Sequence, residues 1–60
     1  MRILPRILIA DDHLIFAEAL RAYLEKTLSV VGVVCNGIAM VEEAVRLKPD
    51  LIVVDVGMPL

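Results

Sequence analysis

Three carboxylates follow two of the most apolar runs in the chain. Asp11 and Asp12 come directly after Ile7–Ala10, and Asp55 comes directly after Leu51–Val54. Short uninterrupted apolar runs are typical of strands that are buried on both faces of a parallel sheet. Because parallel strands point the same way, the residues that follow them lie at one edge, where open α/β sheets bind ligands. We therefore expect the three carboxylates to meet in one crevice.

Carboxylates that meet in one crevice need a positive partner. They repel one another, and burial raises the pKa of such groups when no cation is present. Mg²⁺ suits this role because it takes oxygen ligands and is often shared between one or two carboxylates and phosphate oxygens. A carboxylate beside Mg²⁺ is also a competent phosphoryl acceptor, since aspartyl phosphates are established covalent intermediates. The three residues predict metal-assisted phosphoryl chemistry at an aspartate.

Each of these residues also has a structural interpretation. Asp12 precedes a helical pattern and would be a good N-cap, and Asp55 would be compatible with a simple turn. Asp11 is the hardest to explain structurally, because it ends a buried strand with no cation near it in sequence. His13 is adequately explained by its position at the start of a helix, so we do not expect a metal or phosphate contact from it. The coincidence of three acids favours the functional interpretation.

The spacing of apolar residues along the chain predicts the strands and helices that position these acids. Continuous apolar runs predict strands, and apolar residues at spacings of three and four predict amphipathic helices. The predicted elements are, in order, a strand over Ile7–Ala10, a helix from about His13 to Leu28, a strand over Ser29–Cys35, a helix that begins after an Asn36 N-cap and ends at Pro49-Asp50, and a strand over Leu51–Val54. Gly32 is expected to mark a bend or bulge in the second strand.

Alternation of strands and amphipathic helices predicts an α/β fold with a parallel sheet and right-handed crossovers. If the strand order begins 2-1-3, the first and third strands are neighbours and their acids converge. The predicted apolar face of the first helix consists of Phe16, Leu20, Tyr23, Leu24 and Leu28. The predicted apolar face of the second helix consists of Ile38, Val41, Ala44 and Val45.

The composition excludes several classes of protein. The chain is 60% hydrophobic with a net charge of −2, and its mean hydropathy is +0.86. No apolar run approaches the roughly 20 residues that a membrane-spanning helix needs, and no basic cluster indicates nucleic-acid binding by this segment. The lone Cys35 fits a reducing compartment and is expected to be a small buried hydrophobe. We expect a cytoplasmic protein without membrane association.

Four segments match one family in residue type and spacing. They are Ile7–His13, the Asn36-Gly37 turn, Lys48–Leu51 before the third strand, and Asp55–Pro59. Together they resemble the receiver domain of bacterial two-component response regulators. The resemblance implies a flavodoxin-like, doubly wound parallel sheet, of which residues 1–60 supply the first half, β-α-β-α-β. Asp-Asp-His followed by Phe16 and Ala19-Leu20 is similar to the subfamily that carries a LuxR-type helix-turn-helix output domain.

The resemblance also implies roles for individual residues. Asp55 would accept a phosphoryl group from a sensor histidine kinase, so the chain would be a signalling phosphoacceptor rather than an enzyme. Asp12 would be a direct Mg²⁺ ligand, Asp11 would act largely through water, and Asp55 and the Gly57 backbone carbonyl would complete the protein ligands. The full-length protein would regulate transcription, and DNA would be contacted only through the output domain. Leu14 departs from the pattern, because this subfamily has Pro at the first helical turn.

We expect residues 1–60 to be the N-terminal half of a receiver in a longer product. The family's Ser/Thr and Lys partners of the phosphoryl group follow the fourth and fifth strands, which these residues do not include. On its own the segment would leave Leu51–Val54 as an unpaired apolar edge, and we expect homo-oligomers or strand exchange if it orders.

The sequence is also compatible with two alternative functions. One is a receiver-like module that binds partners through its sheet edge without phosphoryl transfer. The other is a phosphohydrolase with an aspartyl nucleophile. That class usually has an Asp-x-Asp pattern, which Asp55-Val56-Gly57 lacks.

Overall fold

Three parallel strands and two helices alternate along the chain. The computed structural model describes residues 4–60. The elements are β1 (Arg6–Ala10), α1 (Leu14–Leu24), β2 (Ser29–Val34), α2 (Gly37–Leu47) and β3 (Leu51–Val54). The sheet has the order β2-β1-β3, and both strand pairs are parallel. The predicted α/β class and the 2-1-3 order are therefore confirmed, and they correspond to the first half of a flavodoxin-like sheet.

The two helices cover opposite faces of this sheet. On one face, Ile7 and Ile9 of β1 form a buried cluster with Ala17 of α1. On the other face, Leu8 and Leu47 of α2 both lie near Gly32 of β2. The chain moves from β1 outward to β2 and then back past β1 to β3. Right-handed crossovers in opposite directions place their helices on opposite faces, which makes the sheet doubly wound.

Burial differs sharply between β1 and β3. Leu8, Ile9 and Ala10 in the central strand are completely buried, because strands flank them on both sides and helices cover both faces. All four residues of β3 are exposed, by 39–58%. The expectation that Leu51–Val54 forms an apolar edge within these residues is confirmed.

A bulge in β2 interrupts the regular pairing of this strand with β1. Ile7 pairs with Val30 and Leu8 pairs with Gly32, so Val31 is the extra residue. The irregularity predicted at Gly32 is thus found one residue before it. A Cβ atom on Gly32 would lie 3.2 Å from Leu8 Cδ1 and 3.3 Å from Leu47 Cδ1. A glycine at this position therefore lets α2 approach the sheet closely.

Helix α1 is shorter than predicted, and its core face is rotated. It ends at Leu24 rather than Leu28, and residues 25–28 form turns. Phe16 and Tyr23 are 58% and 68% exposed, so this part of the predicted apolar face does not pack on the sheet. The side chains on the sheet are those of Ala17, Leu20, Leu24 and Leu28. The periodicity predicts a wide apolar face on α1. The small residue Ala17 is completely buried against Ile7 and Ile9, so the helix lies closest to the sheet at this position.

Helix α2 begins as predicted, but it buries a different stripe. The Asn36 Oδ1 atom accepts a hydrogen bond from the Ala39 N–H at 2.8 Å, which confirms the predicted N-cap. Ile38, Val41 and Val45 are exposed, so three of the four residues on its predicted apolar face do not pack on this sheet. Ala44 is half-buried, as is Leu47 at the end of the helix.

The end of β2 and the burial of Cys35 need correction, and a contact at the C-terminus of α2 was not predicted. Strand β2 ends at Val34, and Cys35 lies beyond it as an exposed free cysteine rather than a buried hydrophobe. Sequence reasoning also missed Arg6, whose Nη1 donates hydrogen bonds to the carbonyl oxygens of Leu47 at 2.7 Å and Lys48 at 3.1 Å. Arg6 thereby satisfies carbonyl groups that the end of α2 leaves without helical partners.

The described helices are both short. Neither α1 nor α2 is long and apolar enough to cross a membrane.

Candidate functional site

The sheet ladder holds two of the acids at the carboxyl ends of the strands. The Asp11 N–H donates to the Val34 carbonyl at 2.9 Å, and the Asp55 N–H donates to the Ala10 carbonyl at 2.9 Å. Both bonds continue the ladder by one residue beyond the strands. The backbones of Asp11 and Asp55 are therefore positioned by the sheet itself, on neighbouring strands.

The structure brings Asp11, Asp12 and Asp55 together, and it adds His13 to the group. One side-chain ligand atom from each of the four residues lies within 4.8 Å of all the others. We refer to these four residues as the acidic cluster. Their convergence follows from the 2-1-3 order, because this order places the ends of β1 and β3 side by side.

Asp11 is the buried member of the acidic cluster, with a side chain only 8% exposed. Its Oδ1 accepts a hydrogen bond from the His13 backbone N–H at 2.9 Å. This bond is the largest cause of a lowered pKa for Asp11; burial opposes it, and the His13 ring reinforces it. The carboxyl group is thus held as a carboxylate despite its burial.

His13 is the member of the cluster that sequence reasoning missed. Its Nδ1 lies 3.1 Å from Asp11 Oδ1, 3.1 Å from Asp12 Oδ1 and 3.4 Å from Asp55 Oδ2. The hydrogen bond to Asp11, followed by the charges of Asp12 and Asp11, raises the pKa of the imidazole. The available signal was the Asp-Asp-His run itself, which we explained by the start of the helix.

His13 lies at the start of α1 as predicted, but side-chain capping of the helix accounts for neither His13 nor Asp12. His13 occupies the N-cap position of α1, but its side chain makes no capping hydrogen bond. Asp12 is not the N-cap, so the structural interpretation given to it was wrong. The Asp12 carboxylate instead lies 3.1 Å from His13 Nδ1, and both side chains belong to the acidic cluster.

A turn after β3 orients the Asp55 carboxylate. The Gly57 N–H donates to Asp55 Oδ1 at 3.0 Å, and the Met58 N–H donates to the Asp55 carbonyl at 3.0 Å. The following segment rests on α2, because the Gly37 N–H donates to the Pro59 carbonyl at 2.9 Å. Gly57 therefore lies beside the acids, and the ligand role of its carbonyl stays a prediction.

The donor chemistry of the acidic cluster fits a hard divalent cation. Three of its four side-chain donors are carboxylate oxygens, which are the ligands that Mg²⁺ prefers. Within residues 4–60, none of these three carboxylates forms an ion pair with a lysine or arginine. His13 is the group that faces them, so the described part of the cluster has a surplus of negative charge that a cation would neutralise.

Comparison with known proteins identifies relatives over most of the chain. It is 43% identical over 56 residues to protein-glutamate methylesterase/protein-glutamine glutaminase 1 of Geobacter sulfurreducens, covering 90% of this chain and 16% of that protein. It is 40% identical over 57 residues to the protein of the same name from Methanosarcina acetivorans, covering 92% of this chain and 16% of that protein. The chain thus spans about a sixth of the length of these relatives. No solved structure matches it significantly.

The family model provides the wider assignment. The model described as "Response regulator receiver domain" matches residues 7–60. This match begins at the second residue of β1, extends through β3 and includes every member of the acidic cluster. With its parallel 2-1-3 sheet and its acids at the strand ends, the chain belongs to the response regulator receiver domain family.

Proposed function

We propose that Asp55 accepts a phosphoryl group from a sensor histidine kinase, with Mg²⁺ bound beside it. The carboxylates of Asp11, Asp12 and Asp55 and the backbone carbonyl of Gly57 would hold the ion. The observation that carries this proposal is the convergence of three carboxylates from two neighbouring strands within 4.8 Å. When bound, Mg²⁺ neutralises charge that develops on the transferred phosphoryl group.

The residues of this chain account for the orientation of the acceptor. The Gly57 N–H holds one oxygen of Asp55, and the side chain is 25% exposed, so a donor can reach it. In the transfer, an Asp55 oxygen forms a bond to phosphorus. The bond from phosphorus to the imidazole nitrogen of the donor breaks, and its electron pair returns to that nitrogen. The product is an acyl phosphate on Asp55.

We place these residues as the N-terminal half of a cytoplasmic receiver domain in a longer protein. The exposure of β3 supports this proposal, because a further strand of the same sheet would pair with it. The remaining half of the domain would supply the other groups that contact the phosphoryl oxygens.

The effector that the receiver controls has two candidates. The Asp-Asp-His motif followed by Phe16 supports a LuxR-type DNA-binding domain, and with it regulation of transcription. The relatives at 43% and 40% identity are named as methylesterases and glutaminases, which supports a catalytic effector. Assays of the full-length protein for sequence-specific DNA binding and for methyl-ester hydrolysis, each before and after phosphorylation, separate the two.

An interaction module without phosphoryl transfer is the second candidate function. The exposed apolar residues of β3 favour it, because an unpaired strand edge is a template for another chain. This function requires no metal, so its binding would be indifferent to Mg²⁺ and to changes at Asp11.

Phosphorylation of the full-length protein tests the proposal directly. With acetyl phosphate and Mg²⁺, we expect intact-mass spectrometry to show the addition of one phosphoryl group. Asp55→Asn removes the acceptor oxygen and should abolish the gain. Glu42→Gln, which removes a carboxylate on the surface of α2, should leave it unchanged. An equal mass gain in Asp55→Asn and the unaltered protein would contradict the assignment of the acceptor.

A further inference from the structure

The His13 ring lies against all three carboxylates, and with a proton on Nδ1 it donates a hydrogen bond to Asp11. Its Nδ1 faces one oxygen each of Asp11, Asp12 and Asp55, at 3.1, 3.1 and 3.4 Å. A carboxylate oxygen only accepts hydrogen bonds, and a ring nitrogen without its proton does the same. Four acceptor atoms that face one another need a proton or a metal ion between them.

The distances fit ligands that share one metal ion. Neighbouring ligand atoms of an octahedral ion, each about 2.1 Å from the metal, lie about 3.0 Å apart. The Nδ1 atom lies near this separation from oxygens of both Asp11 and Asp12. Opposite ligands of such an ion lie about 4.2 Å apart. The four ligand atoms here lie within 4.8 Å of one another, so small shifts of the side chains would bring them to a single ion.

The backbone holds His13 in this place. Its N–H donates to Asp11 Oδ1 at 2.9 Å, and its carbonyl accepts the Ala17 N–H at 2.8 Å in the first turn of α1. The ring is attached between a buried acid and the start of a helix. The side chain is 72% exposed, so a proton on Nε2 would have access to water while Nδ1 faces the acids.

We propose that His13 Nδ1 is a metal ligand at this site and that it extends the site's affinity to divalent transition ions that favour imidazole, such as Ni²⁺ and Cu²⁺. The proposal rests on the proposed function, since it adds a ligand to the same cation site. Imidazole is a good ligand for nickel, copper, iron and zinc, whereas Mg²⁺ gains little from nitrogen over oxygen. A site of three carboxylates and one imidazole would therefore discriminate between the two classes of ion.

Metal binding by the full-length protein tests the role of His13. We expect calorimetry to show that His13→Ala weakens Ni²⁺ binding by at least about tenfold, which is the lower end of what the loss of even an outer ligand partner costs. Mg²⁺ affinity should be retained. Glu42→Ala is the matched control on α2 and should alter neither affinity. Equal losses for both ions, or no loss of Ni²⁺ affinity, would overturn the proposal.

A spectroscopic measurement on the unaltered protein removes any dependence on the folding of the variant. With ¹⁵N-labelled histidine and bound Cu²⁺, pulsed electron paramagnetic resonance should detect coupling to an imidazole nitrogen. His13→Gln should remove this coupling. Bound Cu²⁺ without nitrogen coupling, in a protein still phosphorylated at Asp55, would overturn the ligand role and leave the proposed function standing. Absence of both divalent-ion binding and Asp55 phosphorylation would overturn the two together.

Discussion

At the scale of single residues, Asp11 and His13 set each other's protonation in the metal-free protein. The His13 backbone N–H lowers the pKa of Asp11 below its ordinary value of 3.8. The hydrogen bond to Asp11 raises the pKa of His13 above 6.5. The contribution of Asp11 to stability is therefore present above pH 3.8 and lost as the pH falls through its lowered pKa. That of His13 is present below pH 6.5 and lost as the pH rises through its raised pKa.

Titration of the His13 ring checks this coupling. We expect NMR of the metal-free full-length protein to give His13 a pKa above 6.5, with the signal assigned by its loss in His13→Gln. Asp11→Asn removes the first cause of the shift and should lower that pKa towards its ordinary value. Glu42→Gln removes a more remote charge and should leave it in place. An unchanged His13 pKa in Asp11→Asn would show that the contact does not exist in solution.

At the scale of elements, α2 is held at both ends by residues outside its own turns. Asn36 caps its first turn through the Ala39 N–H, and Arg6 binds the carbonyls of its last residues. The Arg6 N–H also donates to Asp50 Oδ2 at 2.8 Å, which joins the start of β1 to the loop before β3. Ile38, Val41 and Val45, three apolar residues of α2, do not pack on the sheet, so these polar contacts are a main part of what fixes the helix in place.

Loss of the cap should destabilise the folded protein. Asn36→Ala leaves the Ala39 N–H without its side-chain acceptor, and we expect a loss of about 1 kcal/mol in the free energy of unfolding. Chemical denaturation of the full-length protein measures the change. Glu42→Ala, in the middle of the same helix, is the control and should change stability by less than the cap does. Equal effects of the two substitutions would argue against the capping contact.

At the scale of the whole molecule, the described residues form a sheet that is covered on both faces but open at β3. The central strand is buried, whereas Leu51–Val54 presents an apolar edge whose residues are 39–58% exposed. Unpaired apolar edges bind other strands unless charges or bulges protect them. β2 has such a bulge at Val31, and the pairing of β3 with β1 is regular.

The open edge predicts how residues 1–60 behave when expressed alone. We expect sedimentation to show concentration-dependent association, because another copy can cover β3. Val53→Lys places a charge on the edge and should reduce this association. Val56→Lys adds the same charge at a fully exposed position outside the strand and should reduce it less. A monomer that melts cooperatively at all concentrations would refute the expectation.

The sequence by itself determined the order of elements, the parallel sheet and the meeting of Asp11, Asp12 and Asp55. The elements follow from local signals, because the apolar period and the Asn36 cap depend on neighbours in the chain. The meeting of the acids also needed the 2-1-3 strand order, which the resemblance to receiver domains implied. Only the tertiary structure decided which part of each helix's apolar face packs on the sheet and that Phe16 is left exposed to solvent. Such choices depend on contacts between distant segments, which periodicity does not encode.

The position of the His13 ring was also decided by tertiary structure. In sequence His13 is one residue from Asp12 and 42 residues from Asp55, and its place at a helix start had a sufficient local explanation. Only the pairing of β1 with β3 brings an Asp55 oxygen to 3.4 Å from Nδ1. The meeting of the three acids was predictable because the strand order brings them together. The position of the His13 imidazole could not be predicted, because it depends on the path of the loop between β1 and α1.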